Sequence, residues 1–147
     1  MEVRRIATLR TQKNSEITDK FKSGAEEYLF SSLTKEIIGC AIRVHKILGP
    51  GFVEKIYQGA LSKELTKSNL NYIKEKKVSV KYENAIVGYQ VIDFIIEGKI
   101  IVELKAVSEL NNIHIGQMVS YLKATNEQVG LILNFAKSRL EIKRVKL

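Results

Sequence analysis

VIDFIIEGKIIVELK, residues 91–105, decides the fold. Two β-rich runs flank the turn signal Glu97-Gly98-Lys99, so the stretch reads as an antiparallel hairpin. The second run opens on Ile100, Ile101 and Val102, the composition of a strand buried on both faces. Glu103 and Lys105 then follow two positions apart, and alternation places them on one face. The first run carries Asp93 in the same apolar setting. A buried ionised carboxylate is strongly unfavourable unless it is paired, hydrogen-bonded or bound to a cation.

The length of the turn decides whether the two acids meet. If residues 97–99 form a three-residue loop, Ile96 pairs with Ile100 and Asp93 falls opposite Glu103. Cross-strand neighbours on one face have Cβ atoms about 5 Å apart. A two-residue loop would send the acids to opposite faces unless a bulge restored the parity. An odd loop or a bulge is therefore expected. Two carboxylates that close repel each other. A divalent cation relieves the repulsion, and an oxygen-only donor set suits Mg²⁺ or Mn²⁺. Lys105, one pleat further along, would then sit beside water or a scissile phosphate. A structural Glu103–Lys105 ion pair, with Asp93 at a strand end, accounts for the same residues without chemistry, and the triplet alone does not choose.

Outward from the hairpin the pattern is dense from Leu33 onward. LTKEIIGCAIRVHKIL has helical spacing, with Thr34 as its expected N-cap. GPG at 49–51 ends that helix, and FVEKIYQGALSKELTKS resumes one. NYIKEKKVSVKY alternates as a strand, Glu83-Asn84-Ala85 reads as a turn, and AIVGYQVIDFII is a long strand. SELNNIHIGQMVSYLKATN reads as a helix capped near Asn111 or Asn112, VGLILNF as a short apolar strand, and RLEIKRVKL as an edge strand. The order α, α, β, β, β, α, β, β predicts an α/β (α+β) fold, with helices packed on a central mixed β-sheet. Residues 1–32 form an N-terminal extension, weakly ordered or carrying an added helix around AEEYLFSSL, and residues 33–147 form the single domain.

Composition narrows the class. The chain has 147 residues, enough for a core without disulfides or a structural metal. No apolar run approaches the roughly 20 residues of a membrane span, and the N-terminus lacks the apolar core of a signal peptide. The one cysteine, Cys40, sits in a helical apolar pattern, which fits packing and a reducing cytoplasm. The formal net charge is +8, of which residues 1–32 contribute +1, from six basic and five acidic residues. A surplus of this kind favours a polyanionic partner such as nucleic acid, and equally describes a solvated surface. No zinc-type Cys/His set and no P-loop spacing is present.

The combination D…ExK on adjacent strands resembles the core motif of the PD-(D/E)xK nuclease superfamily, whose restriction-endonuclease-like core runs αβββαβ. Gly51, Glu54 and Tyr57 in GPGFVEKIY reproduce the spacing that names the GxxExxY family within it. LTKEIIGCAIRVHKILGPG, IIVELKAV and IHIGQMVSYLKAT also look like that family, so the resemblance runs from about Leu33 to Val145. Ile92 precedes Asp93 where the superfamily often has proline. The resemblance implies a metal-dependent nuclease acting on DNA with Mg²⁺ or Mn²⁺. Asp93 and Glu103 would hold the metal, joined by Glu54 from the second helix. Lys105 would orient water or stabilise developing charge. Gln117 and Tyr121, four apart on one helical face, match a Q-x-x-x-Y element that lines the site in related nucleases. His45 and His114 are candidates for phosphate contact, and Tyr57 is expected to pack and position Glu54. Two alternatives are a non-catalytic nucleic-acid-binding module and a protein-interaction subunit of a DNA repair or defence complex. So small a chain would gain substrate selection from a homo-oligomer or a larger complex.

Overall fold

The structure, a computed structural model, describes residues 15–147, with side chains from residue 30 onward. The elements are α1 (Ser15–Leu48), α2 (Glu54–Lys67), β1 (Tyr72–Tyr82), β2 (Ala85–Ile96), β3 (Ile100–Lys105), α3 (Asn112–Thr125), β4 (Val129–Asn134) and β5 (Glu141–Lys146). Their order from Leu33 is the one read from the sequence. The expectation for residues 1–14 lies outside the described residues.

The described residues divide into two compact units, one up to Ile37 and one from Ile38 to Leu147. In the first, helix α1 already runs from Ser15, so Thr34 is not an N-cap. Its hydroxyl donates to the Ser31 carbonyl at 3.0 Å, the back-bond of a mid-helix threonine. The capping expectation fails because the helical pattern upstream of Leu33 is too polar to be recognised by its apolar face.

The second unit is a five-stranded sheet in the order β1-β2-β3-β4-β5. Only β3 and β4 are parallel, joined by α3 as the crossover. The mixed sheet is therefore as expected, with β3 at its centre and β5 at an edge. β3 is buried from Ile100 to Leu104 because both faces are covered. Met118, Tyr121 and Leu122 of α3 pack with Ile95, Ile101 and Ile132 on one face. On the other face α2 meets β3, and its Tyr57 stacks on Phe135 with ring centroids 4.4 Å apart. Among the described residues no helix is long and apolar enough to cross a membrane.

The turns follow their residues. Glu83 and Asn84, both with positive φ, join β1 to β2 as a two-residue turn, so Ala85 belongs to the strand, opposite Tyr82. Glu97 and Gly98 also have positive φ, and Lys99 N–H donates to the Ile96 carbonyl at 3.0 Å. Lys99 is the extra residue, and the register Ile96↔Ile100 makes the loop odd, as the parity argument requires. Asn111 caps α3: its side chain accepts from Ile113 N–H at 2.9 Å, while His114 Nδ1 accepts from Asn111 N–H at 3.1 Å.

Helix α3 lies so close to β4 that a Cβ on Gly130 would come within 2.2 Å of Met118 Sδ and 2.9 Å of its Cγ. Met118 is fully buried and has little room to withdraw. Gly130→Ala is expected to destabilise the domain by about 1–3 kcal/mol. Urea denaturation compared with wild type checks this, and an unchanged midpoint would refute it.

Candidate active site

The ladder between β2 and β3 runs through Ile96↔Ile100, Ile95↔Ile101 and Phe94↔Val102 and then stops. The next two residues in register are Asp93 and Glu103. There the side chains replace the ladder. Asp93 N–H donates to Glu103 Oε1 at 2.8 Å, and Leu104 N–H donates to Asp93 Oδ2 at 2.8 Å. Each carboxylate thus satisfies an amide on the opposite strand that regular pairing would otherwise serve. Glu103 is buried and Asp93 half-buried.

β2 also changes face at this point. Ile92 and Ile95 both enter the apolar cluster beneath α3, although three residues is an odd interval for a strand. Directly across on β1 lies Glu75, between the pairs Lys74↔Phe94 and Lys76↔Ile92, with a φ of 57°. A glutamate in that region is strained, and the strain is local to this twist.

Glu54 comes to the pair from α2. Gly49 and Gly51 have φ of 69° and 114°, so the chain reverses sharply after α1. Tyr57 fastens the reversal: its hydroxyl donates to the Gly49 carbonyl at 2.6 Å and accepts from Phe52 N–H at 3.2 Å. Glu54 is then the first residue of α2, where a carboxylate suits the helix dipole. Its Oε2 accepts from Ala106 N–H, just past β3, at 3.1 Å. The glycine, glutamate and tyrosine spacing is therefore one device: turn, acid, clamp.

Lys105 Nζ donates to Gln117 Oε1 at 2.9 Å, so the lysine is held from α3 rather than by Glu103. The structural Glu103–Lys105 ion pair is not what forms. Tyr121, buried on the same helix, donates to the Val91 carbonyl at 3.4 Å. Burial, then the charges of Glu103 and Asp93, raise its hydroxyl above the usual phenol range. Glu54, Asp93, Glu103, Lys105, Gln117 and Tyr121 are thus brought together. His45 and His114 do not hydrogen-bond to the carboxylate pair. His45 Nε2 is 2.8 Å from the Lys137 carbonyl with its ring against Phe135, and His114 serves the α3 cap.

Two residues escaped the sequence reading. Glu75 lines a cleft of about 470 Å³ together with Glu54, Lys55, Gln58, Val91 and Asp93, and pairs with Lys55. Asn134, fully buried, binds the Val107 backbone through both amide atoms (Oδ1 3.1 Å, Nδ2 2.8 Å) and ties the ends of β3 and β4 together. The only signal for Asn134 was a lone amide closing the apolar run VGLILN.

The electrostatics follow from burial. Removal from water, and then the Asp93 charge beside it, push Glu103 from 4.5 up to about 8. Asp93 is raised as well, by burial first and by Glu54 after its hydrogen bond from Leu104 is counted against it. Both shifts favour the protonated form of the pair.

The sequence model of the PD-(D/E)XK nuclease superfamily matches residues 31–145. The chain belongs to the PD-(D/E)XK nuclease superfamily. The crystal structure of SSO0001 superposes with a TM-score of 0.52 at 20% identity, covering 82% of this chain and 61% of that one. That likeness shows the shared restriction-endonuclease-like fold, over less than two thirds of the other protein's length. No curated protein matches the sequence.

PD-(D/E)XK nucleases typically work with a divalent metal. Among the described residues no three His, Cys, Asp or Glu side chains are already gathered around a point. The donor set nevertheless has the right chemistry. It is all oxygen, and a doubly charged cation relieves the repulsion between the two carboxylates.

A carboxyl group whose folded value is raised binds more protons folded than unfolded, so stability falls as pH rises from the unfolded value to the folded one. For Glu103 that window runs from 4.5 to about 8, and Asp93 acts in the same direction. In chelator, stability measured by urea denaturation should decline across this window, and Glu103→Gln should flatten the decline. An equal slope in both proteins would contradict the shift. Tyr57→Phe, which removes two hydrogen bonds at the turn, should lower stability by about 1–2 kcal/mol in the same measurement.

Proposed function

We propose that this protein is a metal-dependent nuclease of the GxxExxY type that hydrolyses phosphodiester bonds in DNA. The observation that carries the reading is the reciprocal Asp93–Glu103 arrangement with Lys105 held beside it by Gln117. Asp93 and Glu103, with Glu54 at the edge, would hold Mg²⁺ or Mn²⁺. Such an ion supplies positive charge that offsets the phosphate's and makes water a better nucleophile.

The chain's own residues do the remainder. Hydrogen bonds to the Asp93 and Leu104 amides fix both carboxylates before substrate arrives, so little reorganisation is needed. Lys105 places a fixed positive charge where negative charge builds on the phosphate oxygens. Gln117 is a positioning residue: it restricts where that ammonium can go. Tyr121, kept protonated by its surroundings, remains a hydrogen-bond donor beside the pair, directed at the Val91 carbonyl. The net charge of +8 supports a polyanionic substrate.

The test is a cleavage assay on DNA and RNA with Mg²⁺ or Mn²⁺, comparing wild type, Asp93→Ala, Lys105→Ala and Gln117→Ala. Wild type should cut and Asp93→Ala should not. Lys105→Ala should lose roughly 10²–10³-fold in kcat. Gln117→Ala should lose less, roughly tenfold, with KM nearly unchanged. Equal cutting by wild type and Asp93→Ala would defeat the proposal. Salt-sensitive binding without cutting would select the non-catalytic binding module instead.

A further inference from the structure

β1 and β2 pair from Tyr72↔Ile96 out to Tyr82↔Ala85, whereas β3 accompanies β2 only over Phe94, Ile95 and Ile96. The outer part of the hairpin is therefore a two-stranded arm beyond the rest of the sheet. One of its faces rests on α3, through Val78 and Ile92. The register puts Lys77 opposite Val91 and Ser79 opposite Tyr89 on the other face; it then shifts at a bulge between Val80 and Lys81, and Lys81, opposite Ile86, keeps to that face by alternation along β1. That face is open: Tyr89 is 58% exposed and Val91 52%.

Two features give the open face a chemistry. The first is charge. Residues 72–91 hold four lysines and two glutamates, and one of those glutamates, Glu75, is already paired with Lys55. Lys77 Nζ stands 4.5 Å above the Tyr89 ring, which holds the ammonium against the arm while leaving it solvated. The second is continuity. Val91, on this face, lines the same cleft as Glu54 and Asp93.

We propose that the open face of the β1–β2 arm binds the nucleic-acid strand that leads into the Asp93–Glu103 cleft. Lys77 and Lys81 contact successive parts of the phosphate backbone, and Tyr89 offers apolar surface to a base or sugar between them. The proposal names a binding surface for the nuclease reading and rests on it. A second copy of this chain fits the face less well. Its lysines would meet their own counterparts across a two-fold pairing, and edge lysines oppose strand-to-strand association.

The experiment measures binding apart from cutting. A fluorescein-labelled DNA oligonucleotide is titrated in chelator, by fluorescence anisotropy, over a range of salt. Wild type is compared with the double variant Lys77→Gln/Lys81→Gln and with Tyr89→Ala, and melting curves confirm that these exposed positions leave the fold intact. The double variant should bind at least tenfold more weakly, and its slope of log K against log salt should be shallower by about 1.4–1.8, two phosphate contacts' worth. Tyr89→Ala should weaken binding with a smaller change of slope. If the double variant binds and cuts as wild type does while Asp93→Ala cannot cut, the arm proposal fails and the nuclease reading stands. If wild type neither binds nor cuts any nucleic acid tested, the nuclease reading fails and takes the arm with it. If wild type is a dimer and the arm variants dissociate it, the face belongs to a second copy and the proposal is overturned.

Discussion

Two carboxylates in a sheet interior need donors, and here they obtain them from the backbone that the sheet leaves unpaired. Asp93 accepts from Leu104 N–H and Glu103 accepts from Asp93 N–H at the point where β2 and β3 stop pairing. The interruption of the ladder and the presence of the acids explain each other. Without the acids, the amides of Asp93 and Leu104 would lack partners in a half-buried place. Without the interruption, the acids would lack donors, and their burial would be prohibitive. Even so, hydrogen bonding does not cancel the burial and repulsion, since Glu103 is still raised to about 8.

Around that exchange each helical layer supplies groups of its own. Helix α2 brings Glu54 to the end of β3, because the Tyr57 hydroxyl locks the preceding turn. Helix α3 brings Gln117 to Lys105 and Tyr121 to the Val91 carbonyl. Asn134 closes the far side by tying the strand ends. The candidate site is thus assembled from both faces of a sheet and from the sheet itself, elements that hold side chains more closely than loops do. The strained Glu75 marks where the arm twists away from this frame.

Much of the fold was legible in the sequence because periodicity is a local signal. The order of elements, the central place of β3 and the odd hairpin loop all follow from residues close together in the chain. Among the proposed site residues, Asp93, Glu103 and Lys105 were conspicuous because charges in apolar strands are anomalous on sight. Glu75 and Asn134 were not, since a glutamate among lysines and one amide at a strand end look ordinary until their neighbours are known. Thr34 misled because a capping residue and a back-bonded mid-helix threonine are the same letter. The bonds of the two histidines, to the Lys137 carbonyl and within the α3 cap, were not foreseen either, since their partners are remote from or unremarkable in the local pattern.

The sequence by itself determined where the hairpin turns: with residues 97–99 as its loop, Ile96 pairs with Ile100 and Asp93 falls opposite Glu103, and that is the register that forms. It also determined the turn that precedes Glu54, since only glycine adopts such backbone angles readily. Tertiary structure alone decided what the charged groups bond to. Lys105 could reach Glu103 two residues away, yet it bonds to Gln117, which the crossover of α3 delivers. Local pairing rules cannot foresee that choice, because the competing partner arrives from another layer of the fold.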